Sequence, residues 1–405
     1  MRRAVALATA LAAASASAAS GNESSVELIV EGPPIEAKAT GQDHIYPRPS
    51  VPGPYRSSSS AAGILAQGWS MLGREDLAAA AGSNEYRARP CEALAGGASG
   101  AQEVLDVIAA RAANARIVII NESHEVTLHR DFSRRVIERL RPLGYSVFAA
   151  ETFANLKDKT DPVEESAALP YPRARDGHYL LEPVFGELVR SAKRLGFRLA
   201  AYEQAWVPEA ERPTDMNELT AAREQEQAEN LVAILRALGP DEKLLVHAGY
   251  WHANESGKRG ANGTDRSYMA ARLKRITGLD PLTIAQTECR GSADTVRLSA
   301  PGDRIKGAFD ILVDHPIHGF RHGRSDWRFA DGAKLIGIPE PYASADETLI
   351  IEAFAENEPF ESVPVDRVWV EPGEDVKLAL KPGRYRVRAV RPVILRPAGS
   401  PTTPG

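Results

Sequence analysis

RIVIINESHEVTLHRDFSRRVIERLRPLGYSVFAAETF, residues 116–153, is the stretch whose reading decides the fold. Residues 117–120 form a short unbroken apolar run, the pattern of a strand covered on both faces. The run breaks into Asn121, Glu122, Ser123, His124 and Glu125, and from Leu128 the apolar positions take helical spacing through Phe132, Val136, Ile137 and Leu140. Arg130, Arg134, Arg135, Glu138 and Arg139 fall on the opposite face, and Pro142 with Gly144 ends the helix. A second apolar run, 147–150, stops at Glu151. Two strands joined by a helix therefore both end in acid or imidazole side chains, and the carboxyl edge of a parallel sheet is where ligands bind.

The same rhythm continues outward. Residues 198–201 read as a strand ending in Tyr202 and Glu203; 243–246 as one followed by His247, Ala248, Gly249, Tyr250, Trp251 and His252; and 282–285 as one ending near Gln286 and Glu288. Helical segments separate them, with Asp215 or Thr214 available to cap one and Gly278 to close another. Right-handed crossovers make such a series one sheet, so the expected fold is α/β, a mainly parallel sheet flanked by helices over 101–335. Residues 309–313 add a sixth strand that empties into Asp314, His315, His318 and His322. Beyond Pro341 only strand-like runs remain, 348–355, 367–370, 376–380 and 385–390, which read as a small C-terminal antiparallel β extension over 341–397 that supports or presents the site.

With 405 residues and 43% hydrophobic content the chain buries a sizeable core. A formal charge of -5 gives no electrostatic reason to expect nucleic acid. Residues 1–19 carry an arginine pair, an apolar run and a small-residue cleavage pattern, which read as a signal peptide for a periplasmic or secreted protein. No later segment is apolar for the roughly 20 residues of a membrane span, so no transmembrane segment is expected in the mature chain. Residues 20–100, rich in Pro, Ser and Ala, read as an N-terminal tether, with the organised domain beginning near Ala101. Cys91 and Cys289 suit a disulfide in an oxidising compartment, but sequence does not supply their separation.

Glu122 and His124, two residues apart beyond a strand, do not have the helical two-histidine spacing of the usual zinc proteases. They suit acid or base work beside a second carboxylate, Glu151, with His252 facing them from beyond the Ala248–Gly249 turn. These four are the candidate catalytic residues, and Glu203, Arg223, His247 and Tyr250 the candidate substrate-binding ones. His247 directly follows a buried run and equally reads as a satisfied core histidine, while Arg223 beside Glu224, Glu226 and Glu229 reads by default as a solvated helix face with ion pairs. Imidazoles mixed with carboxylates also suit a divalent metal such as zinc or manganese. No Gly-x-Ser-x-Gly elbow, phosphate loop or Cys-x-x-Cys competes, so the remaining nucleophile is an activated water.

The order Asn121-Glu122-Ser123-His124, a strand ending in Glu151, REQEQAEN at 223–230 and LLVHAGYWH at 244–252 resembles the superfamily containing the erythromycin esterases and the ChaN-like haem-binding proteins, with the TraB/Tiki proteins more distant. The resemblance spans about 116–288, with Glu122, His124, Glu151, Arg223, Asn230 and His252 on matching positions. Asn121 stands where the motif has glycine and Gln227 where it has methionine. By analogy with the esterases, it implies His124 as general base assisted by Glu122 and Glu151, with His252 and Arg223 orienting or stabilising an oxyanion. Two functions follow as expectations: a hydrolase of an ester or amide bond in a small-molecule or peptide substrate, or a haem- or ligand-binding protein using Tyr250, His252 or the His315–His322 cluster as iron ligands.

Overall fold

The computed structural model describes residues 25–393 apart from 43–44, 53–55, 57–59, 157–158, 207–212 and 261–264; the expected signal peptide, 1–19, lies outside the described residues. In chain order the strands are β1 (Val26–Val30), β2 (Ile35–Glu36), β3 (Ile117–Glu122), β4 (Tyr145–Ala150), β5 (Arg198–Ala201), β6 (Lys243–Gly249), β7 (Leu282–Arg290), β8 (Arg297–Ser299) and β9 (Ile311–His315). They continue as β10 (Phe320–Arg321), β11 (Arg324–Ser325), β12 (Lys334–Gly337), β13 (Leu349–Ala355), β14 (Asp366–Val370), β15 (Lys377–Leu380) and β16 (Gly383–Arg391). The helices are α1 (Ala61–Met71), α2 (Glu75–Ala80), α3 (Ala101–Ala112), α4 (Thr127–Leu140), α5 (Pro162–Glu165), α6 (Pro183–Arg194), α7 (Met216–Arg236) and α8 (Met269–Thr277).

The quoted stretch forms β3, α4 and β4. Alternate residues of these strands face opposite ways. Val118, Ile120 and Phe148 pack on α3, α4 and α6, while Ile117, Ile119 and Val147 pack on α7 and α8. Both faces are covered, which is why the runs are continuously apolar. The sheet has seven strands in the order β5-β4-β6-β3-β7-β9-β8, parallel except for the edge strand β8. Register sets the site: β3 places Glu122 beside Gly249 of β6, and β4 places Ala150 beside His247. The α6 start is fixed by Glu182, whose carboxylate accepts from the Val184 and Phe185 N–H groups with Pro183 following. Asp215 caps α7 and Gly278, at φ 69°, closes α8.

The C-terminal strands are mostly antiparallel, but β15 pairs with β12, and β16 lies between β13 and β1. The expected tether is the main correction. Val26 to Val30 run parallel to Gly383 to Val387, Tyr46 donates to Glu352 at 3.0 Å, and Trp69 meets the Trp369 ring edge-on at 5.8 Å. Tyr46, Trp69 and Leu72 are buried with Ile350 and Val390. Residues 25–100 look like a linker because they are rich in Pro, Ser, Gly and Ala. They form core only through a partner far along the chain. The second unit is therefore built from both ends of the described chain.

Cys91 and Cys289 form a disulfide with Cα atoms 5.6 Å apart, beside a strap whose residues Arg89, Ala93 and Ser99 bridge to Arg290, Ser299 and Arg297. Among the described residues no helix is long and apolar enough to cross a membrane. Both facts are compatible with an exported protein. Trp69→Ala is expected to lower stability by about 3–5 kcal/mol in urea unfolding, as a core tryptophan does; a change under about 0.5 kcal/mol would restore the tether reading.

Candidate active site

Glu122, the last residue of β3, is fully buried, and Arg130 of α4 holds it with Nε 2.7 Å from Oε2 and Nη2 3.1 Å from Oε1. Burial alone would raise the Glu122 carboxyl, but Arg130, His124 and His247 outweigh it and hold it well below the usual range. The anion accepts from His124 Nδ1 at 3.0 Å. That bond fixes the tautomer by network and leaves Nε2 as the ring's acceptor atom. The ring stacks on Tyr179 at 3.9 Å and meets Tyr250 edge-on at 4.9 Å.

Opposite Nε2, at 4.0 Å, is Oε1 of Glu151. Glu151 also receives the Gly249 N–H, and Arg223 Nη2 at 2.7 Å. Burial pushes this carboxyl up, but His252, His124, Arg223 and Gly249 bring it down to about 2. Arg223, one-third exposed, is braced by Glu203 at Nε, 2.9 Å, and again at Nη2, while Gln227 donates to Glu203 at 3.0 Å. Arg223 Nη1 lies 3.0 Å from His252 Nε2, so Nε2 must be the acceptor, and His252 Nδ1 faces Glu224 at 2.8 Å. Burial disfavours charge on His252, yet Glu151 and Glu224 raise its pKa. Gly249 permits this closeness, because a Cβ there would lie 2.6 Å from His124 Nε2. Tyr250 follows at φ 43°, a strained left-handed conformation costing about 1–2 kcal/mol for a non-glycine residue, and its hydroxyl donates to Glu125 at 3.2 Å.

Glu122, His124, Glu151, His252, Glu203, Arg223 and Tyr250 thus share one edge. His247 does not join them on the open side. Only 2% exposed, it packs against Phe148 and Phe185 behind Glu122, its Nε2 without a hydrogen-bond partner and 3.9 Å from Glu122. It is a core histidine, not a substrate contact. Arg130, read as outer polar face, is instead buried, bridging Glu122 to Glu182 at 3.1 Å, because α6 covers that side of α4. Glu224 likewise faces inward. Glu182 directly before Pro183 is a helix-start pattern that would have marked it; Tyr179 had no signal beyond the length of the polar loop that carries it.

His315, His318 and His322 do not converge: His315 is buried against Gln286 at 2.9 Å, and the half-buried His322 lies 3.0 Å from the Asp375 carbonyl. Tyr250 and His252 are engaged as described, so the proposed haem ligands do not fit that role in this arrangement. Among the described residues no three His, Cys, Asp or Glu side chains are grouped to hold a metal ion. Arg130 and Arg223 supply the positive charge among the carboxylates.

No protein-family model and no curated protein matches the sequence. Several solved structures overlap part of it. One, described as bacterial protein toxins, is 18% identical with a TM-score of 0.36 over 48% of this chain, which spans 39% of that chain's length. The type III effector HopBA1 is 14% identical with a TM-score of 0.36, over 57% of this chain and 98% of that one. ChaN of Campylobacter jejuni, described for cofacial haem binding, is 8% identical with a TM-score of 0.34, over 51% and 90%. At such scores the overlap carries no argument about what the chain does.

Arg130→Met is expected to cost about 3–5 kcal/mol in chemical denaturation, because it leaves two buried carboxylates without their cation. Stability is also expected to fall with acidity. His247 is lowered to about 4, mainly by burial with partial opposition from Glu122. An unfolded imidazole takes its proton at about 6.5, so between these values the unfolded state binds more protons and stability falls as pH drops. His129 and His315 act in the same sense, and His252 in the opposite one. Unfolding free energies at about pH 7 and about pH 4.5 should differ, and His247→Phe should flatten that slope by up to about 3 kcal/mol.

Proposed function

We propose that the chain is an exported hydrolase that cleaves an ester or amide bond with water activated by His124. The observation that carries this reading is the Glu122–His124 pair, whose unshared Nε2 faces Glu151 and the Arg223–His252 edge. Glu122, kept anionic by Arg130, orients the imidazole and stabilises the cation formed when Nε2 takes a proton from water. Arg223, the exposed cation of the cluster, faces the negative charge that develops on the attacked carbonyl oxygen. Glu151 and Glu203 hold that guanidinium in place. The proton taken from water returns to the leaving group from His124 Nε2, while His252, backed by Glu224, accepts from Arg223 and helps orient it. The erythromycin esterase and ChaN-like resemblance supports the same assignment of His124.

His124→Ala is expected to reduce kcat/KM on a responsive ester or peptide by about 10²–10⁴-fold, the usual worth of a general base. Its melting temperature should stay close to that of the parent. Equal turnover by both proteins across an ester and peptide panel would remove the proposal.

A further inference from the structure

We infer that a small cavity at the start of α4, closed by Arg290, binds a halide-sized monovalent anion that anchors the segment carrying His124. The cavity, about 50 Å³, is lined by Val126, Thr127 and Leu128 at the α4 N-terminus together with Glu75, Arg290 and His318. A water needs roughly 10–15 Å³ of such space, so a chloride-sized ion fits.

Arg290 makes the argument. It is only 6% exposed, and its Nε and Nη1 atoms are buried without a hydrogen-bond partner. Its guanidinium lies over the Tyr86 ring at 5.4 Å, and no carboxylate among the described residues pairs with it. The acids nearby are committed elsewhere. Glu85 accepts from Arg89 at 3.2 and 3.0 Å, and Glu75 accepts from Arg328 at 2.7 Å, the Ser325 N–H at 2.8 Å and Thr127 at 2.8 Å. A buried cation is retained when something pairs with it. The same space is lined by the first turn of a 14-residue helix that has no side-chain cap and whose dipole favours negative charge. Two independent features therefore call for the same sign of ligand in one space.

The same helix start is tied to the candidate site. Ser123 N–H donates to His129 Nδ1 at 3.0 Å, Val126 N–H returns to the Ser123 carbonyl, and Arg130, one turn on, clamps Glu122. An anion between Arg290 and this turn fixes the loop that presents His124.

The test uses the whole chain and needs no substrate. Thermal unfolding is followed as chloride replaces gluconate at constant ionic strength, for the parent and for Arg290→Met. The parent should gain about 2–4 °C, as ligand binding to the native state stabilises it, and the variant should gain nothing. In gluconate the variant should be as stable as the parent or more so, since it lacks an unpaired buried cation. An equal chloride response in both proteins, or none in the parent, overturns the inference. Should Arg290→Met not fold, bromide anomalous scattering from crystals of the parent decides: a peak beside Arg290 supports the site, and its absence removes it.

Discussion

One buried guanidinium holds the site together. Arg130 lies between Glu122 at the end of β3 and Glu182 at the start of α6, so one cation fixes two acids on different elements. Burying either carboxylate alone costs several kcal/mol. The two acids do not share it equally: burial prevails at Glu182 and raises its pKa, while Glu122 stays anionic. Glu122 is thereby kept a charged acceptor for His124. The chain of charge continues outward, for Arg328 lies 4.0 Å from Glu182 and pairs with Glu75 and Asp366. The second β unit is therefore connected to the sheet edge by ion pairs and not by apolar packing alone.

Much of this was readable from the residues. The unbroken apolar run at 117–120 and its sharp polar ending specify a buried parallel strand, and the register of β3 with β6 brings Glu122 and the Gly249–His252 turn together, as that reading required. Arg130 and Glu224 were not readable as buried. A helix pattern separates apolar from polar faces, but it does not say whether the polar face meets water or another layer. α6 and α8 supply that layer, and Glu224 accepts the Met269 N–H at 2.6 Å. His247 shows the converse, since a histidine one residue beyond an apolar run looks the same in sequence whether it faces a cleft or the back of a carboxylate.

The misread N-terminal segment has a similar cause. Local composition reports how a stretch behaves by itself, and residues 25–100 have little to bury alone. Their apolar side chains matter because Trp369, Ile350 and Val390 meet them from the other end of the chain. Tyr46 illustrates the point: its hydroxyl joins Glu352, which is itself held by Arg367 at 2.7 Å and Arg388 at 2.8 Å.

The pairing of β1 with β16 also bears on when the protein can fold. Val30 lies opposite Val387, so the first described strand has no partner until β16 has been synthesised. Loop closure over such a distance is slow, and the second unit cannot be completed domain by domain behind a ribosome. The seven-stranded sheet needs no strand beyond β9, so the two units differ in how far along the chain their last partner lies.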